Sequence, residues 1–209
     1  MEGMKFDKGK AMWELVPIEY FKCLASSIKP FIEMYMLKEK TIVFDKQLIY
    51  NIVRSNIARW RQMGALSFTG SNHPLMNAMI GILMLAKTRE YSYDEVFNNI
   101  EFQQRWDLIN PEWTTNIVEI YSYGACKYEK DNWKKVESDR YYAALNRHIE
   151  AFWNKKIYDD ESGFHHNYHA AWNCIALQWL EKKEIPEKII KAANKLRGIN
   201  LSITKKKKS

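Results

Sequence analysis

The stretch Asp159-Asp160-Glu161-Ser162-Gly163-Phe164-His165-His166-Asn167-Tyr168-His169-Ala170-Ala171-Trp172-Asn173 decides how the rest of the chain is read. Carboxylates stand beside a glycine break, and imidazoles and an amide then enter a run rich in Ala, Trp, Ile and Leu. Charge and imidazole are costly to bury unless paired or bound. Their close alternation with apolar residues predicts a polar site near the interior rather than a solvated face.

Outward from this stretch, apolar spacing predicts three helices joined by turns, and an all-α fold. Trp113, Ile117, Ile120 and Tyr121 place the first over 112–128, closing near Tyr123-Gly124. Ser138 or Asp139 is expected to cap the second, which runs to about Asn154 with Tyr142, Leu145, Ile149 and Phe152 as its stripe and His148 at the edge. The third is expected from about His165 to Lys182. On it His166, His169 and Asn173 are three and four residues apart and share a face. Glu119, one turn before Tyr123, reads either as an exposed helix glutamate or as a ligand for metal or substrate. His148 reads as a satisfied core histidine or as part of the site. Asp159, Asp160 and Glu161 read as an N-terminal cap cluster for the third helix, a role compatible with facing a cation.

Towards the N-terminus, residues 5–17 form a basic, mostly extended opening whose Lys5, Lys8 and Lys10 lie over a phosphate or in solvent. A helix is expected over Ile18–Leu37, with a break at Pro30, and another over 46–62. A turn-rich connection, Gly64 to Pro74, precedes a helix over Leu75–Ala86 with Met76, Met79 and Met84 on its apolar face. Tyr93–Ile109 reads as a further helix, and a short one near Pro186–Arg197 precedes the lysine tail.

A length of 209 residues bounds this to one domain, or one with an inserted lobe, and 46% hydrophobic with 14% aromatic residues supports a packed core. Cys23, Cys126 and Cys174 form no paired spacing, which argues against a disulfide framework and suits a reducing compartment. The longest apolar stretch, Ala78–Ala86, is far shorter than a membrane span, so a soluble, cytoplasmic protein without a membrane partner is expected. Lys205–Lys208 supply more than half of the net charge of +7, so the basic balance does not make nucleic acid the main partner. No Walker-type glycine loop and no His-Glu-x-x-His pair occur, and neither a P-loop ATPase nor a zincin is supported.

Lys5-Phe6-Asp7-Lys8-Gly9-Lys10, Trp13 to Pro17, Tyr123-Gly124-Ala125-Cys126-Lys127-Tyr128 with Asn132-Trp133, Ala143 to His148, Asp159 to Gly163 and His165 to Asn173 follow one another in a characteristic order. In this order the chain resembles the phage and bacterial dATP/dGTP diphosphohydrolase family (MazZ-like), related to the all-α MazG nucleotide pyrophosphohydrolases. The resemblance implies a MazG-like helical core made of 1–29 and 112–184, a helical insertion at 30–111, and a short helix and basic tail at 185–209. It implies hydrolysis of a purine deoxynucleoside triphosphate, dATP or dGTP, to monophosphate and pyrophosphate. The enzyme would be a homo-oligomer using Mg²⁺, or Mn²⁺, in the host cytoplasm if phage-encoded. Glu119, His148, Glu161 and His169 carry over as catalytic, Glu119, Asp159 and Glu161 as metal ligands, and Lys8, Lys10, Lys127, Asn132, Arg147 and Asn173 as substrate-binding. Hard Mg²⁺ prefers oxygen donors, which favours the three carboxylates and leaves the histidines to hydrogen-bond ligands, water or phosphate. Lys155-Lys156-Ile157 stands where the family commonly has Gly-Glu-Asp. That departure motivates an alternative, a nucleotide-binding or host-interaction protein with a degenerate core.

Overall fold

The computed structural model describes residues 15–63, 73–98 and 104–184. The Lys5–Lys10 arm with the expected phosphate contacts Lys8 and Lys10, the bulk of the 64–74 connection and the helix and tail expected beyond 184 lie outside the described residues.

Helix α3 (Pro74–Ala86) is apolar on every side, and Pro74 through Leu85 are all buried. A helix without a polar face must be surrounded. It is packed by α1 (Ile18–Tyr35), α2 (Lys46–Met63) and α7 (His166–Glu184), and α7 is packed in turn by α5 (Pro111–Lys127) and α6 (Ser138–Trp153). The described fold is all-α, consistent with a MazG-like architecture, apart from a ribbon of two-residue strands, β1 (Leu37–Lys38) and β2 (Thr41–Ile42), with Leu37 opposite Ile42. The buried apolar residues of all five major packing partners and α3 belong to one cluster. No helix among the described residues is long and apolar enough to cross a membrane.

α3 starts where His73 accepts the Leu75 amide on Nδ1 at 3.2 Å. The other ring nitrogen lies 3.0 Å from Glu181 Oε2, and Trp60 Nε1 donates to Glu181 Oε1 at 2.7 Å. Since Nδ1 accepts, Nε2 is the protonated nitrogen and donates. One buried carboxylate of α7 thus holds the start of α3 and the end of α2. On the other side, Gly81 lets α2 approach: a Cβ there would lie 2.7 Å from Val53 Cγ2. Gly81→Ala is expected to cost about 1–3 kcal/mol by overpacking, read as a lower midpoint in chemical denaturation with an unchanged slope.

Four local expectations are corrected. Pro30 does not break α1: Ile28, Phe31 and Ile32 around it are at most 1% exposed, and their burial holds the helix across the missing amide. Of the expected Tyr93–Ile109 helix, the described residues form α4 (Tyr93–Phe97), which ends at Asn98, and a 3₁₀ turn at Trp106–Leu108. The chain folds back because Arg105, 2% exposed, donates to the carbonyls of Val96 and Glu95 and to Asp107, capping α4 from outside. Ser138 and Asp139 do not cap α6: the position is Glu137, without a side-chain bond, and Asp139 pairs with Arg61 of α2 at 2.8 Å. Asp159, Asp160 and Glu161 do not cap α7 either, since His165 Nδ1 accepts the Asn167 amide at 3.0 Å.

Candidate functional site

Between α6 and α7 the chain makes a tight, internally bonded loop. Lys155 takes a left-handed conformation (φ 69°) and its amide donates to the Phe152 carbonyl, ending α6. Tyr158 and His165 then pair as an antiparallel bridge, with the Asp159 amide donating to Phe164 and the Gly163 amide donating to Asp159. Gly163 sits at φ +74°, where a side chain is strained. This explains the glycine between the acids and the imidazoles: it lets the turn close and brings Asp159 back towards the first residues of α7.

Within the turn, Asp159 Oδ2 accepts from the Ser162 amide at 3.0 Å and the Ser162 hydroxyl at 2.9 Å. The same hydroxyl lies 2.7 Å from His169 Nε2. Because the hydroxyl proton goes to the carboxylate, His169 Nε2–H is the donor to the hydroxyl oxygen. His148 of α6 stacks on His169, ring centroids 4.7 Å apart and 9° from parallel, and its Nδ1 faces His166 Nδ1 at 2.8 Å. His148, Asp159 and His166 each offer a ligand atom, and these atoms lie within 4.8 Å of one another. His166 is 4% exposed and its Nε2 is buried without a hydrogen-bond partner among the described residues.

Burial sets the charge state of the rings. Desolvation, helped by the neighbouring His169 and His166, lowers His148 to about 3. Desolvation also lowers His169 and His165 to about 4 each and pulls His166 down. Burial acts to raise the Asp159 carboxyl, but the Ser162 hydroxyl and amide, with His169 and His148, outweigh it and leave it below the ordinary value. At neutral pH the site is therefore one carboxylate among neutral imidazoles, a donor set ready for a cation without prior loss of protons.

The other sequence-derived candidates take distinct places. Glu119 is half-buried on α5, and no hydrogen bond or ion pair engages its carboxylate among the described residues. One turn on, Tyr123 meets Phe164 of the loop edge-on at 5.9 Å, so this face of α5 borders the loop. Glu161 is exposed and turned outward to an ion pair with Lys127. Lys156 pairs with Asp160 at 2.6 Å. Arg147 is exposed on α6 beside His148, and Asn132 is half-buried in a 3₁₀ turn, Asn132–Lys135. Asn173 is buried and donates to the His169 carbonyl at 2.8 Å, so its amide NH₂ serves its own helix. His148, Asp159 and His169 are thus brought together, whereas Asn173 lies a turn deeper and Glu161 is exposed and engaged by Lys127 of α5. Sequence reasoning set His166 on the face of His169 but gave it no role in the site, and it missed Ser162 as a member of the cluster. The adjacent pair His165-His166 was the available signal: the first ends the bridge and caps the helix, which leaves the second to enter the interior.

Residues 97–188 match the sequence model of the family described as dATP/dGTP diphosphohydrolase, N-terminal. A dATP/dGTP diphosphohydrolase of Salmonella phage PMBT28 is 33% identical over 73 residues, which is 35% of this chain and 25% of that protein. The matched segment spans about a quarter of the length of that curated relative. No solved structure matches the chain. The α5–α7 region that builds the His148–Asp159–His166 cluster therefore lies wholly within a segment related to the dATP/dGTP diphosphohydrolases.

Proposed function

We propose that the chain is a metal-dependent hydrolase of purine deoxynucleoside triphosphates, dATP or dGTP, releasing monophosphate and pyrophosphate, and that its relation is to the MazZ-like branch of that family. The observation that carries the reading is the coincidence of the family match over 97–188 with an internally bonded carboxylate and imidazole cluster. A bound Mg²⁺ or Mn²⁺ would relieve repulsion between triphosphate and carboxylates and favour an ionised attacking water. Asp159 and Glu119 would face the cation, with Glu161 joining them once released from Lys127. Lys127 and Arg147, at the rim, would take phosphate oxygens, and Lys8, Lys10, Asn132 and Asn173 complete the proposed substrate contacts. His169 and His148, neutral and stacked, would hold Ser162 and Asp159 in place and accept a proton. The division into a core of 1–29 and 112–184 with an insertion at 30–111 belongs to the same proposal, as does a homo-oligomer, which the exposed Ile18 and Met34 of α1 support. Light scattering after size exclusion should then give at least a dimer.

The deciding experiment is a screen of all nucleoside and deoxynucleoside triphosphates with Mg²⁺ or Mn²⁺, products separated by chromatography. Monophosphate plus pyrophosphate from dATP or dGTP is the expected result, and orthophosphate would redirect the assignment. A second reading, a nucleotide-binding or host-interaction protein with a degenerate core, is favoured by the Lys127–Glu161 and Lys156–Asp160 pairs, which engage two of the loop's acids with lysines. Tight nucleotide binding without turnover would establish it.

A further inference from the structure

The donor set in the loop does not suit the ion that the family resemblance implies. Mg²⁺ prefers six oxygens and gives up water reluctantly, whereas His148, Asp159 and His166 offer two nitrogens and one carboxylate. We infer that His148, Asp159 and His166 form a resident site for a borderline divalent transition ion, of the class of Mn²⁺, Fe²⁺, Co²⁺ or Zn²⁺, distinct from any Mg²⁺ that arrives with a triphosphate. The inference goes beyond the proposed hydrolysis and shares with it Asp159 and His148, leaving His169 as the ring that accepts a proton when the ion is bound.

Three features of the cluster point to a ligand and not to a closed structural network. The facing ring nitrogens of His148 and His166 are 2.8 Å apart. Nitrogens bound at about 2.0–2.1 Å sit roughly 3 Å apart when they occupy neighbouring positions on one six-coordinate ion, so this edge needs little adjustment to take metal. Second, His166 is buried and yet one of its ring nitrogens has no partner among the described residues. That nitrogen is Nε2, while Nδ1 is the one that faces His148, so the His148 contact is the single bond that a cation at the Nδ1 edge would replace. Third, both Ser162 bonds fall on Asp159 Oδ2, which fixes the carboxylate and leaves Oδ1 without a hydrogen bond among the described residues, while His169 is committed to Ser162 and stacks on His148. Such outer bonds orient ligands in metal sites. They leave the remaining coordination positions to water or to a phosphate oxygen.

The test uses the tag-free 209-residue chain, stripped with a chelator and dialysed against Co²⁺, Zn²⁺ or Mg²⁺ and then against metal-free buffer. Elemental analysis should find close to one Co²⁺ or Zn²⁺ per chain, visible absorption bands should report nitrogen-ligated Co²⁺, and a thousandfold excess of Mg²⁺ should not displace either ion. His166→Ala and His148→Gln should each weaken retention at least tenfold, while His165→Asn, which can still cap α7, should retain the ion. Far-UV circular dichroism of the stripped variants separates loss of ligand from loss of fold, and the wild-type stoichiometry and competition stand without any variant. No retained transition ion, displacement by Mg²⁺, or unchanged retention in folded His166→Ala and His148→Gln would overturn the site. Retention without turnover of any triphosphate would leave the site and remove the proposed hydrolysis. Turnover with Mg²⁺ by a chain that retains no transition ion would do the reverse.

Discussion

Asp159→Asn is expected to lower kcat/KM for the preferred triphosphate by about 100- to 1,000-fold, the scale on which loss of a preorganised electrostatic group acts in an active site. The substitution keeps an oxygen that can accept from Ser162, so the turn survives and the thermal midpoint should move by only a few degrees. What is lost is the negative charge at the one carboxylate held among the imidazoles. Glu161→Gln is the informative comparison, because Glu161 is exposed and paired with Lys127 of α5. Its effect should be smaller and should appear more in KM than in kcat if the residue meets substrate only after leaving that lysine. Steady-state kinetics of both variants, with melting curves alongside, check the ranking. Turnover within a few-fold of wild type in Asp159→Asn would move the chemistry to another part of the chain.

The metal-free protein should lose stability steeply on mild acidification. His148, His165 and His169 are held at about 3, 4 and 4 in the fold, against an ordinary value near 6.5 in the unfolded chain. Below that value the unfolded chain takes up protons that the folded chain refuses, so unfolding gains free energy with each step down in pH. The stabilisation is fully present above about pH 6.5 and disappears as pH falls through the folded-state values near 4 and 3. Asp159, also lowered in the fold, acts with the same sign at the acid end of this window. Because the rings interact their effects are not additive, and with the partly exposed His165 discounted for solvent screening the loss between pH 6.5 and pH 4 is on the order of 5 kcal/mol. Denaturant titrations at several pH values, after chelation, measure it directly. His148→Gln should flatten the profile by removing one site of proton uptake, and a profile as steep as wild type in that variant would show that other groups drive the acid transition.

How much was legible differs from element to element. The α5, α6 and α7 spans are matched to within two residues, because each carries an apolar stripe of helical period and a break at Pro111, Asn154 or Gly163. The caps were misread because several Asp, Ser and Glu residues compete at each start. Tertiary partners decide among them: Arg61 draws Asp139 away, and the loop's own amide takes Asp159. The fold-back after α4 turns on Arg105, whose burial is invisible in a local window because the carbonyls it satisfies belong to a helix end nine residues earlier. In the site, the clustering of His169, His148 and the Asp159 loop follows from helix spacing and a tight turn. The shared face of His166 and His169 follows from the same spacing, but the contact of His166 with His148 does not, because it depends on His165 being consumed as a cap.

α3 has no outside. From Pro74 to Leu85 every side chain is buried, including the small Ala78 and the Gly81 contact with Val53. Along α2 or α6, sequence drift can run freely down one face and is checked on the other, so tolerated substitutions recur with the turn of the helix. Along α3 that rhythm is missing, and a saturation library would return a flat band of intolerance across the whole segment. Change there is expected to come as paired exchanges with α1, α2 or α7, one side chain growing as its neighbour shrinks.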